Sequence, residues 1–305
     1  MAEGIGPVFV ICGPTASGKS SLALALAERV GGVVINADSM QVYRGLEILT
    51  AQPGVGARIR APHLLYGVLE PDDPCSAGRW RDMALSAIAE ARAARRVPIL
   101  CGGTGLYLKA LMEGLAPVPD IPADLRARLR AHHAEIGNAV FHAELVERDP
   151  ATSVQPSDPN RMLRAMEVVE ATGKPLSHWQ ALPPDGPPVG MEFRSVLLDP
   201  PRAGLYAAIE ARFDAMIEAG AGTEARALAD LAPDLPAARA LGLRELNQAQ
   251  AGTLALEDAV IQAKTRSRNY AKRQVTWFRS QIVTDFKYSA KFSESLCEKI
   301  LSEIL

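Results

Sequence analysis

The sequence predicts an α/β protein, in which a parallel sheet is flanked by helices and interrupted by an all-helical subdomain. Short apolar runs at residues 8–12, 33–36, 97–101 and 194–198 alternate with segments of helical periodicity. This alternation is typical of a parallel sheet that is covered on both faces. Residues 115–191 instead contain helical patterns and proline punctuation without a convincing strand signal, which indicates an insertion.

The elements of the first half follow one another as strand, loop and helix. The run at 8–12 meets a glycine-rich turn, and a helix then extends over 20–30 and ends at two glycines. The strand at 33–36 leads directly to Asp38. The strand at 97–101 is followed by a second glycine-rich turn. Ligands of open parallel sheets bind beyond the carboxyl ends of the strands, so we expect both loops at the ligand edge.

We assign residues 1–114 and 192–305 to the core and residues 115–191 to the insertion. The clearest helix of the insertion has Asp158 as its N-cap and Pro159 as its first residue, and it ends at Gly173. A linker rich in proline and glycine then returns the chain to the sheet. The last long helix is expected at residues 255–282.

Composition excludes several classes of protein. No apolar run approaches the ~20 residues that span a bilayer, and residues 1–7 lack the features of a signal peptide. We therefore expect a monomeric, cytoplasmic protein with no membrane partner.

The four widely spaced cysteines indicate neither a disulfide framework nor a metal site. The net charge is −2, yet residues 264–291 hold eight basic residues against Asp285, a local charge of +7.

Residues 13–20 match the phosphate-binding loop pattern, and they lie between a strand and a helix as that motif requires. The residues expected to bind phosphate are Gly13, Thr15, Ala16, Ser17, Gly18, Lys19 and Ser20. Glycines let backbone N–H groups converge on an anion, Lys19 adds a positive charge, and the Ser20 hydroxyl is a ligand for Mg²⁺. The core is thus predicted to be a P-loop-type sheet.

The loop alone does not decide the chemistry, because kinases, switches and transferases share it. NTP-hydrolysing proteins usually have a strand that ends in a magnesium-holding Asp, whereas the strand at 97–101 ends in a glycine turn. Asp199 also follows a strand, but two prolines come next and favour a structural role. A small-molecule kinase and a non-catalytic RNA-binding P-loop protein stay as alternatives.

Five motifs in order, at residues 13–20, 38–45, 102–107, 161–168 and 270–279, together resemble those of the bacterial tRNA dimethylallyltransferases, also called tRNA isopentenyltransferases. The resemblance implies transfer of a dimethylallyl group from dimethylallyl diphosphate to the N6 amine of the adenosine immediately 3′ of the anticodon. It also implies that the phosphate loop holds the diphosphate with Mg²⁺, and that the insertion clamps the anticodon stem-loop.

The same resemblance assigns roles to individual residues. Lys19 neutralises the leaving diphosphate, Asp38 takes a proton from the amine, and Thr104 hydrogen-bonds near the reacting atoms. Arg164 reaches the diphosphate. The residues implied to contact tRNA are Asp38, Ser39, Met40, Gln41, Thr104, Arg126, Asn160, Arg161, Met162, Leu163, Arg164, Arg239, Arg244, Lys272, Arg273, Gln274 and Arg279.

The last long helix presents two patterns. Basic side chains that suit RNA phosphates recur on roughly one face, at Lys264, Arg268, Lys272 and Arg279. A second stripe contains Tyr270, Gln274, Trp277 and Phe278. For its aromatic members we favour burial in the core over stacking on bases, because this spacing is that of an ordinary buried face.

Four positions depart from the family pattern. Gln52 stands where a lysine is common, so one positive charge near the site is missing. Cys75 and Leu243 replace usual tyrosines, and Asn160 replaces a usual glutamine. The tail from Asp285 onward matches no motif, and the sequence leaves its order open.

Overall fold

The computed structural model describes residues 6–290 and 292–305, so Lys291 of the basic segment lies outside the described residues. The chain divides into two compact units. We call Met1–Met112 with Pro188–Leu305 the core unit, and Glu113–Pro187 the insertion unit.

Over the described residues, the core unit contains one sheet of six parallel strands. The strands are β1 (Val8–Cys12), β2 (Val33–Asn36), β3 (His63–Leu64), β4 (Pro98–Gly102), β5 (Phe193–Leu198) and β6 (Phe286–Tyr288). Their order across the sheet is β3, β2, β4, β1, β5, β6. The predicted α/β class and the four predicted strands are confirmed, while β3 and β6 were not predicted.

The helices complete the α/β alternation. In chain order they are α1 (Lys19–Val30), α2 (Val55–Arg60), α3 (Ala77–Ala93), α4 (Gly105–Met112), α5 (Ala123–Arg148), α6 (Pro159–Thr172), α7 (Leu176–Gln180), α8 (Arg202–Glu218), α9 (Ala221–Ala227), α10 (Leu243–Gln250), α11 (Leu256–Gln281) and α12 (Glu294–Ile304). Helices α5 to α7 form the insertion unit, and the others belong to the core unit.

The central strands are buried on both faces because every residue of β1, β2 and β4 is buried. Burial of apolar side chains on both faces is the main stabilising contribution in such a sheet. One apolar layer contains Trp80 of α3, which stacks on Tyr107 of α4 at 4.6 Å between ring centroids. The opposite layer contains α1 and α12. The sheet is thereby fixed from both sides, and its carboxyl edge is left for the connecting loops.

In the insertion unit, α5 and α6 pack around a small apolar core of their own. The predicted start of α6 is confirmed, since Asp158 Oδ1 accepts a hydrogen bond from the amide of Arg161 at 3.2 Å. Its predicted end is confirmed as well, with Gly173 at φ 67°. Helix α5 is interrupted at Gly137, where φ is 74°.

The tail after Asp285 is ordered where the structure describes it. β6 pairs with β5, and α12 buries Cys297, Ile300 and Ile304 in the apolar layer that also contains α1. Among the described residues, none of the helices is both long and apolar enough to cross a bilayer.

Candidate active site

The phosphate loop connects β1 to α1 and contains three left-handed backbone conformations. Gly13, Ala16 and Gly18 have φ of 151°, 61° and 91°, values that glycine adopts without steric cost. A Cβ at Gly13 would lie 2.5 Å from the carbonyl oxygen of Leu198, so a side chain does not fit there. The loop therefore curves tightly, which is what allows its N–H groups to converge on an anion.

Two polar side chains of the loop, Lys19 and Ser17, have charge or hydrogen-bonding capacity that a bound phosphate would satisfy. Lys19 Nζ donates a hydrogen bond to the carbonyl oxygen of Pro14 at 3.2 Å, and burial lowers the pKa of the Lys19 ammonium group. Ser17 Oγ is buried without a hydrogen-bond partner among the described residues. A phosphate would bring a counter-charge for Lys19 and an acceptor for Ser17.

A second buried cation lies beside the loop. Arg212 of α8 donates from Nη2 to the hydroxyl of Thr15. Burial lowers the pKa of its guanidinium, and the charge of Asp38 opposes that shift. Sequence reasoning missed Arg212, although a signal was present. Arg212 stands at helical spacing from the buried Ile209 and Met216 and so interrupts an apolar face.

Asp38 and Thr104 follow β2 and β4, which are neighbours in the sheet. The amide of Asp38 donates to Asn36 Oδ1 at 2.8 Å, and Asp38 Oδ1 accepts from the amide of Met40 at 3.0 Å. Thr104 Oγ1 accepts from the amide of Ser39 at 2.9 Å and donates to the Ser39 hydroxyl at 3.2 Å. Two of the three predicted catalytic side chains, Asp38 and Thr104, are therefore held in connected loops at one edge of the sheet, while the third, Lys19, lies in the phosphate loop.

Gln274 of α11 joins the phosphate loop to the glycine turn after β4. Its Oε1 accepts from the amide of Thr15 at 2.8 Å, and its Nε2 donates to the carbonyl oxygen of Gly103 at 2.9 Å. Both ends of this buried carboxamide are therefore used inside the protein, and the tRNA contact of Gln274 stays a prediction. The phenol of Tyr270 lies beside Thr104 and Gln274, and burial raises its pKa.

A cavity of about 660 Å³ opens in the core unit beside Thr104. Its wall includes the predicted tRNA contacts Ser39, Met40, Arg239 and Arg273, together with Tyr270. Its size falls in the range of ordinary ligand pockets and is sufficient for a nucleobase. The other predicted contact of this loop, Gln41, is directed inward, and its Nε2 donates to the carbonyl oxygen of Thr50 at 2.8 Å.

The departures from the family pattern are integrated into the fold. Gln52 Nε2 donates to the carbonyl oxygen of Tyr43 at 2.8 Å. The amide of Cys75 donates to Tyr43 Oη at 3.1 Å, and Cys75 lies in the cavity wall. Burial raises the pKa of the Cys75 thiol, which favours its protonated form. Leu243 is buried in the core, and Asn160 is exposed.

The predicted contacts in the insertion unit differ in exposure. Asn160 and Arg161 are exposed, and Leu163 is half-buried. Arg164 and Arg126, the first of which was predicted to reach the diphosphate, lie 3.7 Å and 3.9 Å from the buried carboxylate of Glu167. Met162 is 0% exposed in the core of the unit. The Met162 side chain thus belongs to the packed face of α6, and the tRNA contact of this residue stays a prediction.

The basic face of α11 is largely paired with acidic side chains of the core unit. Lys264 lies 2.6 Å from Asp214, and Arg268 pairs with Glu210. Arg279 donates two hydrogen bonds to the buried Asp199, at 3.0 Å and 3.1 Å. Three of the four basic residues predicted to suit RNA phosphates therefore have an acidic partner within the protein.

The basic side chains of Lys272, Arg273 and Arg244 in the core unit are exposed.

The aromatic residues of α11 differ in their surroundings. Phe278 is buried, as predicted, and Trp277 packs against Gly105, where an added Cβ would lie 2.0 Å from its ring.

Among the described residues, no cluster of three or more His, Cys, Asp or Glu side chains could hold a metal ion. A divalent cation at this site would therefore take its protein ligand from the Ser20 hydroxyl, which is exposed in the first turn of α1. The donor set fits Mg²⁺, which keeps several waters and is usually shared between few protein oxygens and the phosphates of a substrate.

Comparison with known proteins gives matches over nearly the whole chain. The family model described as IPP transferase matches residues 41–281, and the one described as isopentenyl transferase matches residues 6–57. A tRNA dimethylallyltransferase of Rhodospirillum centenum is 52% identical, covering 90% of this chain and 89% of that protein. One of Parvibaculum lavamentivorans is 50% identical, covering 100% and 98%.

Two solved structures are similar in fold. The full-length tRNA isopentenylpyrophosphate transferase of Bacillus halodurans gives a TM-score of 0.69 at 31% identity, covering 98% of this chain and 95% of that one. A eukaryotic dimethylallyltransferase acting on tRNA gives 0.75 at 28% identity, covering 89% and 69%. By its match to the family model and by relatives about half identical over nearly its full length, the chain belongs to the IPP transferase family.

Proposed function

We propose that this protein transfers a dimethylallyl group from dimethylallyl diphosphate to the N6 amine of the adenosine immediately 3′ of the anticodon in tRNA. One observation carries the proposal. The phosphate loop and the Asp38 and Thr104 pair follow adjacent strands at one sheet edge, beside a cavity with room for a base. A diphosphate in the phosphate loop and a purine in the cavity can therefore meet beside Asp38 and Thr104. All of these residues come from one chain, so we take the monomer as the active form.

The donor half of the site suits a leaving diphosphate. When the allylic C–O bond breaks, the electron pair stays with the diphosphate and positive charge develops on carbon. Lys19, Arg212 and the loop amides stabilise the negative charge that accumulates on the leaving group. A Mg²⁺ ion held by Ser20 would supply further charge stabilisation there. The two buried cations are thus best satisfied when the diphosphate is bound.

The acceptor half suits an adenine amine. The N6 nitrogen forms the new bond to the allylic carbon and loses one proton, which the Asp38 carboxylate accepts. Thr104, which is fixed by its two hydrogen bonds with Ser39, hydrogen-bonds beside the reacting atoms. A base stacked in an anticodon loop does not reach such a cavity, so the adenine is flipped out at a cost of a few kcal/mol.

Contacts to tRNA come from both units. In the core unit the exposed cations Arg244, Lys272 and Arg273 face solvent and can pair with phosphates. In the insertion unit Asn160 and Arg161 are exposed at the start of α6. The positive end of that helix adds to their attraction for a phosphate. We assign the insertion unit to clamping the anticodon stem-loop.

The kinase alternative is weakened because Asp199, the strand-end carboxylate that could hold its metal ion, is paired with two basic side chains. An NTP-hydrolysing protein needs a strand-end carboxylate for its metal. Here the carboxylate of Asp199 is buried with Arg279 and with Lys287, whose Nζ lies 3.2 Å away. Consumption of ATP driven by a small metabolite, without RNA, would instead favour the kinase.

The test is transfer of a labelled dimethylallyl group to unmodified tRNA in the presence of Mg²⁺, with wild type, Asp38→Asn and Asp82→Asn. Asp82 is exposed on α3 and serves as the matched control. We expect Asp38→Asn to lower kcat by about 10²–10⁴-fold, with tRNA affinity within about twofold of wild type. Transfer by Asp38→Asn at the wild-type rate would reject Asp38 as the base.

A further inference from the structure

The C-terminal tail contacts the phosphate loop through Phe292. A Cβ placed on Gly18 would lie 2.4 Å from Cγ, 2.5 Å from Cβ and 2.9 Å from Cδ2 of Phe292. These distances mean that the ring and its first carbon pack directly over the Gly18 backbone. A loop glycine and an aromatic residue of the tail, far apart in sequence, therefore form one contact.

Gly18 is a sensitive position in the loop. It has φ 91° and ψ 4° and is the N-cap of α1, and no side chain of its own caps that helix. The amides that follow it are the ones that a helix N-terminus offers to an anion. The first half of the loop is held from the inside, by Gln274 on the Thr15 amide and by Arg212 on the Thr15 hydroxyl. Phe292 packs against the second half.

The tail is anchored on both sides of Phe292. On its N-terminal side, Asp285 Oδ2 accepts from the amide and the hydroxyl of Ser195, each at 2.7 Å, and β6 pairs with β5. On its C-terminal side, Ser293 caps α12, and Arg194 Nη1 donates to the carbonyl oxygen of Ile304 at 2.8 Å. α12 packs in the same apolar layer as α1. The position of Phe292 is thus set by elements that belong to the sheet.

We propose that Phe292 is a positioning residue, which holds Gly18 in its left-handed conformation and so presets the second half of the phosphate loop for the diphosphate. Presetting a binding loop raises affinity because the ordering cost is met before the ligand arrives. Phe292 itself touches no reacting atom. The inference rests on the proposed function in one respect, since it takes a diphosphate as the loop's ligand.

The test compares Phe292→Ala, Phe292→Leu and Leu296→Ala in the full-length chain. Leu296 packs in the same apolar layer as Phe292, so its truncation weakens tail packing while the contact with Gly18 is kept. Binding of inorganic pyrophosphate with Mg²⁺ is measured by calorimetry. Tm, kcat, and the KM values for dimethylallyl diphosphate and tRNA are measured in parallel.

We expect Phe292→Ala to weaken pyrophosphate binding and to raise the KM for the diphosphate donor by about tenfold, with the KM for tRNA unchanged. Phe292→Leu keeps an apolar contact and restores most of the affinity. Leu296→Ala lowers Tm comparably but leaves pyrophosphate binding within about twofold of wild type. Equal effects of Phe292→Ala and Leu296→Ala on pyrophosphate binding would overturn the positioning role.

The outcomes also separate this inference from the proposed function. If pyrophosphate binding depends on Phe292 but the wild type prenylates no tRNA, the positioning role stands and the proposed function fails. If the wild type prenylates tRNA and Phe292→Ala binds pyrophosphate normally, the proposed function stands and the positioning role fails.

Discussion

Replacement of Gln274 by methionine tests the link between the two glycine-rich loops. Gln274 is 5% exposed, and its carboxamide bridges the Thr15 amide and the Gly103 carbonyl oxygen. Methionine has a similar length and volume, so the substitution removes the two hydrogen bonds without opening a large cavity. The Gly103 carbonyl oxygen then loses its partner in a buried place, and the Thr15 amide loses its partner in a half-buried one.

The magnitude follows from those two groups. Leaving a buried donor or acceptor unsatisfied costs about 1–3 kcal/mol. Two such groups predict a loss of about 2–6 kcal/mol in the free energy of unfolding, toward the lower end if water enters the gap. The Thr15 amide belongs to the phosphate loop, so we also expect the KM for dimethylallyl diphosphate to rise by about tenfold or more.

Urea unfolding and steady-state transfer kinetics measure the two effects. Gln262→Met is the matched control, because Gln262 is an exposed glutamine of the same helix and should change stability by no more than about 0.5 kcal/mol. Gly103→Ala gives a second approach to the same link, since its new Cβ would lie 2.3 Å from Gln274 Nε2. The double variant should therefore lose less than the sum of the two single losses.

The reasoning would be refuted by a Gln274→Met variant that unfolds at the same urea concentration as Gln262→Met and keeps the wild-type KM for the donor. Strict additivity with Gly103→Ala would also contradict it, because residues that share one hydrogen-bonded link are expected to couple.

Two further predictions concern the buried cations. Arg212→Met should raise the KM for the donor by about tenfold or more, because a charge that stabilises the diphosphate is lost. The free energy of unfolding should stay equal or increase, because burial disfavours the charged guanidinium in the folded protein. An unchanged KM in transfer kinetics would show that Arg212 is not part of the donor site. Burial lowers the pKa of Lys19 from its ordinary value of 10.5, and a bound diphosphate should raise it again. Pyrophosphate binding should therefore take up protons, and its affinity should fall as the pH rises toward that ordinary value. Calorimetry in buffers of different ionisation enthalpy measures the proton uptake. An affinity that does not change with pH in this range would contradict the assignment of Lys19 to the diphosphate.

Local signals were sufficient for most of the fold. The strands at the centre of the sheet were predictable because full burial on both faces leaves continuous apolar runs, as in β1 and β4. The start of α6 was predictable because Asp158 and Pro159 are strong local signals. β3 was missed because it has two residues, and two residues show no period.

The candidate site was predictable to the extent that its residues follow strand ends in sequence. Asp38 and Thr104 follow strand ends, and the family resemblance supplied their predicted roles. Arg212 and Tyr270 lie on helices that pack over the site from distant parts of the chain, and local periodicity does not reveal what faces them. Phe292 was missed for the same reason. Its contact with Gly18 exists only through the pairing of β6 and the packing of α12.

The charges of α11 show what spacing alone leaves out of a predicted basic face. A row of cations at helical spacing says which side chains share a face, but the acidic partners come from other elements. Asp214 and Glu210 of α8 and Asp199 after β5 neutralise three of the four predicted cations. Together with Glu245, which pairs with Arg266, these acids lower the local charge of residues 264–291 from +7 to +3.

The two sides of α11 consequently have different tasks in the proposed reaction. The buried side fixes the donor loop through Gln274 and lines the acceptor cavity through Tyr270. Lys272 and Arg273, which lie between Tyr270 and Gln274 along the helix, are exposed, and Arg273 also reaches the cavity wall. The helix proposed to contact RNA phosphates is thus the same element that joins the phosphate loop to the cavity. A change in outer charge is therefore expected to alter tRNA affinity and its salt dependence, whereas a change at Gln274 alters donor KM.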